Sequence, residues 1–302
     1  VPHAKRTIEE EIERYLRTGD SDPYHAAWPC TYLERARQAH VDLRGGLIRE
    51  IKRLAAGRSH RPLPDGDPGL LMRGKVEPMV RGLFPRAEQD VVLAMLARSI
   101  VFVTSENIEA LLLERSFDSS AWDLANLHLA SLGAELLGDE APNLVGLSAE
   151  TTCLVSPEYF GENNLFADYV AHEAAHIFHN CKRRAVGLHE TRTREWLLDI
   201  DFRKRETFAY SCEAYARVLT LANSPAERRR LADRFARTAC IAEERVDPSE
   251  VGAIVQAAAQ ARNGWKVIRS RCAPAPLARA GHGSERFPVS SAQSRRSTAS
   301  PR

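Results

Sequence analysis

The residues best equipped for chemistry lie in one stretch, Val170-Ala171-His172-Glu173-Ala174-Ala175-His176-Ile177-Phe178-His179-Asn180. It contains two histidines four residues apart, with a glutamate directly after the first. On a helix, that spacing puts both imidazoles on one face, one turn apart. Two ring nitrogens so placed can hold one zinc ion at about 2.0–2.1 Å each, in a roughly tetrahedral site. Glu173 then stands where it can take a proton from a water activated by that ion. The chemistry expected is metal-assisted hydrolysis.

A catalytic zinc needs a third protein ligand and one open position. The metzincin pattern would place a histidine six residues after His176, but Lys182 stands there. The third ligand is therefore expected from another helix. Arg205 to Ala216 offers two candidates, Glu206 and Glu213, which share a face with Tyr210 and Arg217. Ala209 and Ala216 lie alongside and would let this helix come close to the metal helix. Whichever glutamate is not a ligand can accept a hydrogen bond from a ligand histidine. Tyr210, Tyr215, His179 and His189 are the candidates for stabilising an oxyanion.

His172-Glu173-x-x-His176 followed by Glu206-x-Phe208-Ala209 resembles the paired helices of the gluzincin zinc metallopeptidases. The resemblance implies a zincin-like core, Zn²⁺ as cofactor and a peptide or protein as substrate. It also implies His172, His176 and Glu206 as metal ligands, and Glu173 as general base. It spans Leu165 to Leu221 at most. Glu206 stands 30 positions after His176, farther than in thermolysin-like or aminopeptidase relatives, so Glu213 stays open as the alternative ligand.

These residues need elements to hold them. From Leu165 to Phe178 the chain is apolar on nearly every side, with Phe166, Val170, Ala174 and Ile177 along one side, as in a buried helix. Asp168, His172, Glu173, His176 and His179 must then be paired or bound to metal, because unpaired buried charge is costly. Leu144 to Leu147 and Thr151 to Val155 read as two strands just before this helix, the only sheet expected. A strand there could form the lip of a cleft and pair with an extended peptide. Helical spacing is expected over 5–17, 32–56 (with Gly45-Gly46 as a kink), 76–80, 88–103, 108–114, 121–137, 203–222 and 226–240, with 250–262 as the last helix.

The fold class expected is thus mainly α (α+β): a zincin-like core with a small sheet before the metal-binding helix, plus an N-terminal helical region. The divisions are a helical region over 1–60, a linker or long loop over 61–75, a metallopeptidase domain over 76–272 and a disordered tail over 273–302. Three prolines and two glycines between Arg61 and Gly69 place the linker, although a surface excursion within one domain fits equally.

Composition narrows the classes. A net charge of +2 on 302 residues gives no general field for nucleic acid. The longest apolar run, Val91 to Val103, is broken by Arg98 and is too short to span a bilayer. Six scattered cysteines form no C-x-x-C pair. Lys5, Arg6 and Glu9 to Glu11 occupy the place of an apolar leader core, so a reduced, cytoplasmic setting is expected. The competing class is a helical binding or regulatory protein whose metal site is structural or vestigial.

Overall fold

The computed structural model describes residues 6–29, 31–63, 68–138, 141, 146–149, 151–161, 164–241 and 243–275. The chain is mainly helical with one small sheet. In chain order the elements are α1 (Ile8–Thr18), α2 (Tyr32–Leu54), α3 (Pro68–Leu83), α4 (Arg86–Ser99), β1 (Ile100–Phe102), α5 (Ile108–Leu113) and α6 (Asp118–Ser131). They continue with β2 (Gly146–Ala149), β3 (Thr152–Val155), α7 (Tyr169–Asn180), α8 (Arg205–Leu221), α9 (Pro225–Thr238), α10 (Pro248–Gln260) and α11 (Gly264–Cys272).

The three strands, in the order β1-β3-β2, stand between two layers of helices. β1 runs parallel to β3 and β2 antiparallel to it. Alternate residues of a strand face opposite sides. Val101, Leu154 and Leu147 are in register and join the core of α1, α2, α5 and α6. Phe102, Val155 and Gly146 are also in register, in the row facing the other way. On that side Phe102, Cys153 and Val155 pack into the core of α3, α4, α7, α8 and α11. A third cluster, which includes Val218, Leu231, Phe235, Val251 and Val255, ties α9 and α10 to the far side of α8.

Several elements differ from the sequence expectations. Pro68 opens α3, so the end of the expected linker is helix; residues 64–67 lie outside the described set. Proline in a first helical turn lacks only an N–H that would have no intrahelical partner. Met72, Val76, Met79, Val80 and Leu83 are buried at helical spacing, far beyond the short helix read at 76–80. The helix expected to reach Val103 stops at Ser99, and Ile100 to Phe102 form β1, a third strand that the apolar run concealed. Of the expected first strand, Leu144 and Val145 lie outside the described residues; β2 covers Gly146 to Ala149. Helix α11 follows the helix read as last.

The Gly45-Gly46 pair does not break α2. A Cβ on Gly46 would lie 2.7 Å from Ile12 Cγ2, so glycine there lets α1 and α2 touch. Helices α5 and α6 share the core of α1 and α2, so that layer draws on chain from both sides of the expected linker. The tail from 276 onward lies outside the described residues. Cys153, Cys181, Cys212, Cys240 and Cys272 are free thiols. Among the described residues no helix is long and apolar enough to cross a membrane.

The N-terminal layer encloses His128 of α6, with its Nδ1 lacking a hydrogen-bond partner and its ring 5.0 Å from that of His60. Burial, then the neighbouring His60, pushes its pKa down to about 4. The unfolded chain takes up this proton near pH 6.5, while the folded chain does not until about pH 4. Stability is therefore complete above pH 6.5 and is lost as the pH falls towards 4, by about 3 kcal/mol for this group. Urea unfolding at pH 7.0 and 4.5 should show that loss, and His128→Gln should reduce it. An equal pH dependence in wild type and variant would contradict the assignment.

Candidate metal centre

Asp168 is the N-cap of α7, and its Oδ1 accepts a hydrogen bond from Ala171 N–H at 3.3 Å. The carboxylate is buried and fully engaged. Tyr159 O–H donates to Oδ1 at 3.1 Å, and Lys75 Nζ of α3 donates to Oδ2 at 2.9 Å. Burial, then the adjacent Asp168, raises the Tyr159 pKa and keeps that hydroxyl a donor. The backbone N–H of Asp168 donates to Glu213 Oε1 of α8 at 2.8 Å. The other oxygen of Glu213 accepts from His172 Nδ1–H at 3.0 Å. A hydrogen-bonded chain thus runs from α3 through the start of α7 to α8, and it fixes the first histidine ring.

A second chain fixes the other ring. His179 Nδ1–H donates to Asn180 Oδ1 at 3.1 Å, which leaves His179 Nε2 as an acceptor. His176 Nδ1–H donates to that nitrogen at 3.0 Å. Burial first, then His176 and Arg205, lowers the His179 pKa to about 3, so this ring stays neutral. In its neutral form each of these two histidines is therefore held in the tautomer whose Nε2 carries a lone pair.

The two Nε2 atoms are 3.1 Å apart. Glu206 Oε2 of α8 lies 3.3 Å from His176 Nε2 and 3.8 Å from His172 Nε2. A tetrahedral zinc with bonds of about 2.0–2.1 Å has ligand-to-ligand edges of about 3.4 Å. The triangle therefore has the size of one face of that tetrahedron, and His172, His176 and Glu206 can together hold a metal ion. Three lone-pair donors this close repel one another unless a positive charge sits among them. In the ion-free protein a proton serves. Burial opposes it, but Glu206, Glu213 and Glu173 outweigh burial and push the His172 pKa up to about 10. The same potential attracts a cation.

Glu206, the expected ligand, and Glu213, its alternative, thus divide the roles. Glu206 joins the histidine Nε2 atoms, and Glu213 binds the back of His172. Glu173 lines a cleft of about 890 Å³ that the three ligands also line. A Cβ on Gly146 would lie 2.8 Å from Glu173 Oε1, so the glycine of β2 leaves the room this carboxylate occupies. Tyr210 lines the cleft with its ring 4.6 Å from that of His172, edge to face. Of the other oxyanion candidates, His179 is engaged behind His176. Tyr215 is buried against Trp265, and His189 is exposed; neither lines the cleft. Phe166, expected on the metal helix, precedes it and packs edge-on against Phe235 of α9 at 5.2 Å.

Sequence reading flagged Asp168 only as a charge in need of a partner; an aspartate just before a helix is also an N-cap signal. Lys75 and Tyr159 gave no comparable signal, because only the fold brings them to Asp168. Compared with the profiles of known protein families, with curated proteins and with solved structures, the chain matches none.

The geometry ranks the two glutamates. Calorimetric zinc titration should show Glu213→Gln weakening binding by about 10–100-fold, the range for a residue that orients a ligand. Glu206→Gln should weaken it more. The opposite ranking would exchange their roles.

Proposed function

We propose that the protein is a zinc-dependent hydrolase of peptide (amide) bonds, built on a zincin-like core of the gluzincin kind. In this reading His172, His176 and Glu206 are the metal ligands and Glu173 is the general base. One observation carries it: three donor side chains converge at the spacing of a tetrahedral face, on the wall of an open cleft that Glu173 shares. Three protein ligands beside a cleft support catalysis over a closed structural site.

Zinc held there by His172, His176 and Glu206 would keep about one net positive charge and would supply Lewis acidity towards a carbonyl and towards water. The protein's groups do the rest. Glu173 accepts the proton of the attacking water and hands it to the leaving nitrogen. Tyr210, its pKa raised to about 12 by burial and then by Glu213 and Glu206, stays protonated and donates to the developing oxyanion. β2 is an outer strand of the sheet, and Gly146 and Leu147 line the cleft, which suits an extended peptide laid along that edge. Glu213 and His179 keep the ligand rings in register through the reaction.

The test is cleavage of a peptide library read by mass spectrometry, with zinc content measured on the same samples. Glu173→Gln should keep its metal and lose about 10²–10⁴-fold in kcat. Gly146→Ala should also keep metal but lose about tenfold or more, because the added methyl displaces the Glu173 carboxylate. Wild-type protein that holds one zinc and cleaves nothing would contradict the hydrolase. Undiminished activity in Glu173→Gln would remove that residue from its role.

A further inference from the structure

Three arginines, Arg203, Arg205 and Arg245, line the cleft beside the metal ligands. Arg245 is committed: its Nε and a terminal nitrogen bind Glu243 at 2.7 and 3.1 Å, and it lies 3.7 Å from Glu206. Arg205 is different. Its guanidinium lies over the Phe202 ring, 5.0 Å from the centroid. Its Nε is shut off from solvent and has no hydrogen-bond acceptor. Among the described residues no carboxylate pairs with it. The acids of the cleft are already engaged: Glu206 and Glu213 with the histidines, Glu243 with Arg245, and Glu173 beside β2.

A guanidinium placed over an aromatic ring is steadied by the cation–π contact and still offers a planar fork of N–H donors. That fork matches a carboxylate, which it binds through two charge-assisted hydrogen bonds. Arg205 directly precedes Glu206 and lines the same cleft as His172, His176 and Glu206, so such a carboxylate would lie close to the reacting centre. We propose that Arg205 binds a carboxylate of the substrate, so that the favoured ligand of this cleft is a peptide carrying one near the bond offered to the metal ligands. The carboxylate is either the free C-terminus or an aspartate or glutamate side chain. The proposal rests on the hydrolase reading for its substrate class, but its test reads binding.

Fluorescence anisotropy of three fluorescein-labelled hexapeptides of alanine and phenylalanine decides it: one with a free C-terminus, one amidated, and one amidated with a single glutamate. The protein is zinc-loaded and carries Glu173→Gln, so that nothing is cleaved during the titration. At least one carboxylate peptide should bind about tenfold or more tighter than the plain amide, and which one identifies the source. Arg205→Gln should abolish that advantage with zinc content unchanged, and Arg205→Lys should restore only part of it. Equal binding of all three peptides, binding of none, or an advantage that survives Arg205→Gln would overturn the proposal. Arg205-dependent binding by a protein whose wild type cleaves no peptide would sink the hydrolase alone. Cleavage without any carboxylate preference would sink this inference alone.

Discussion

Two imidazole nitrogens and a carboxylate oxygen converge within 3.8 Å of one another, close enough that they stay together only with a positive charge among them. In water these side chains would rotate apart. Here they cannot, because each ring is held from behind. Asp168 and Glu213 fix the first ring, and His179 and Asn180 fix the second. Holding like-polarity donors together costs free energy, which a cation at their centre returns. Most of the polar burial around α7 and α8 is intelligible as the means of keeping that strained set in place.

The sheet contributes by what it omits. Its row facing α7 presents Phe102 and Val155, which pack, and Gly146, which does not. The missing side chain leaves space for the Glu173 carboxylate beside the ligands. The opposite row, Val101, Leu154 and Leu147, anchors the sheet to the N-terminal helices. That layer packs on the opposite face of the sheet from α7, and it fixes the surface against which α7 and Glu173 are placed. Lys75 makes a similar link from α3, since its ammonium neutralises the buried N-cap that orders the start of α7.

What could be read from the chain alone follows from the range of the forces involved. The spacing of His172, Glu173 and His176 is local, so helix geometry was enough to place both imidazoles on one face. The burial of that helix was legible because apolar residues surround the motif. Glu206 was put ahead of Glu213 only through the resemblance, because residues seven apart point the same way and only the docking of α8 on α7 decides which reaches the rings. β1 was hidden because Ile100 to Phe102 continue an apolar run that also suits a helix; pairing with β3 settles it. The prolines and glycines of 61–69 masked the start of α3, whose burial pattern begins at Met72. Lys75, Tyr159 and Arg205 carry no local signal, since their roles exist only through contacts far away in sequence.

X-ray absorption at the zinc edge, on protein loaded with one equivalent of metal, tests the convergence itself. Two imidazole nitrogens and oxygen ligands at about 2.0–2.1 Å, with one zinc per chain, is the expected spectrum. Sulfur in the coordination shell, or failure to retain one equivalent after gel filtration, would show that these three side chains do not form a metal centre.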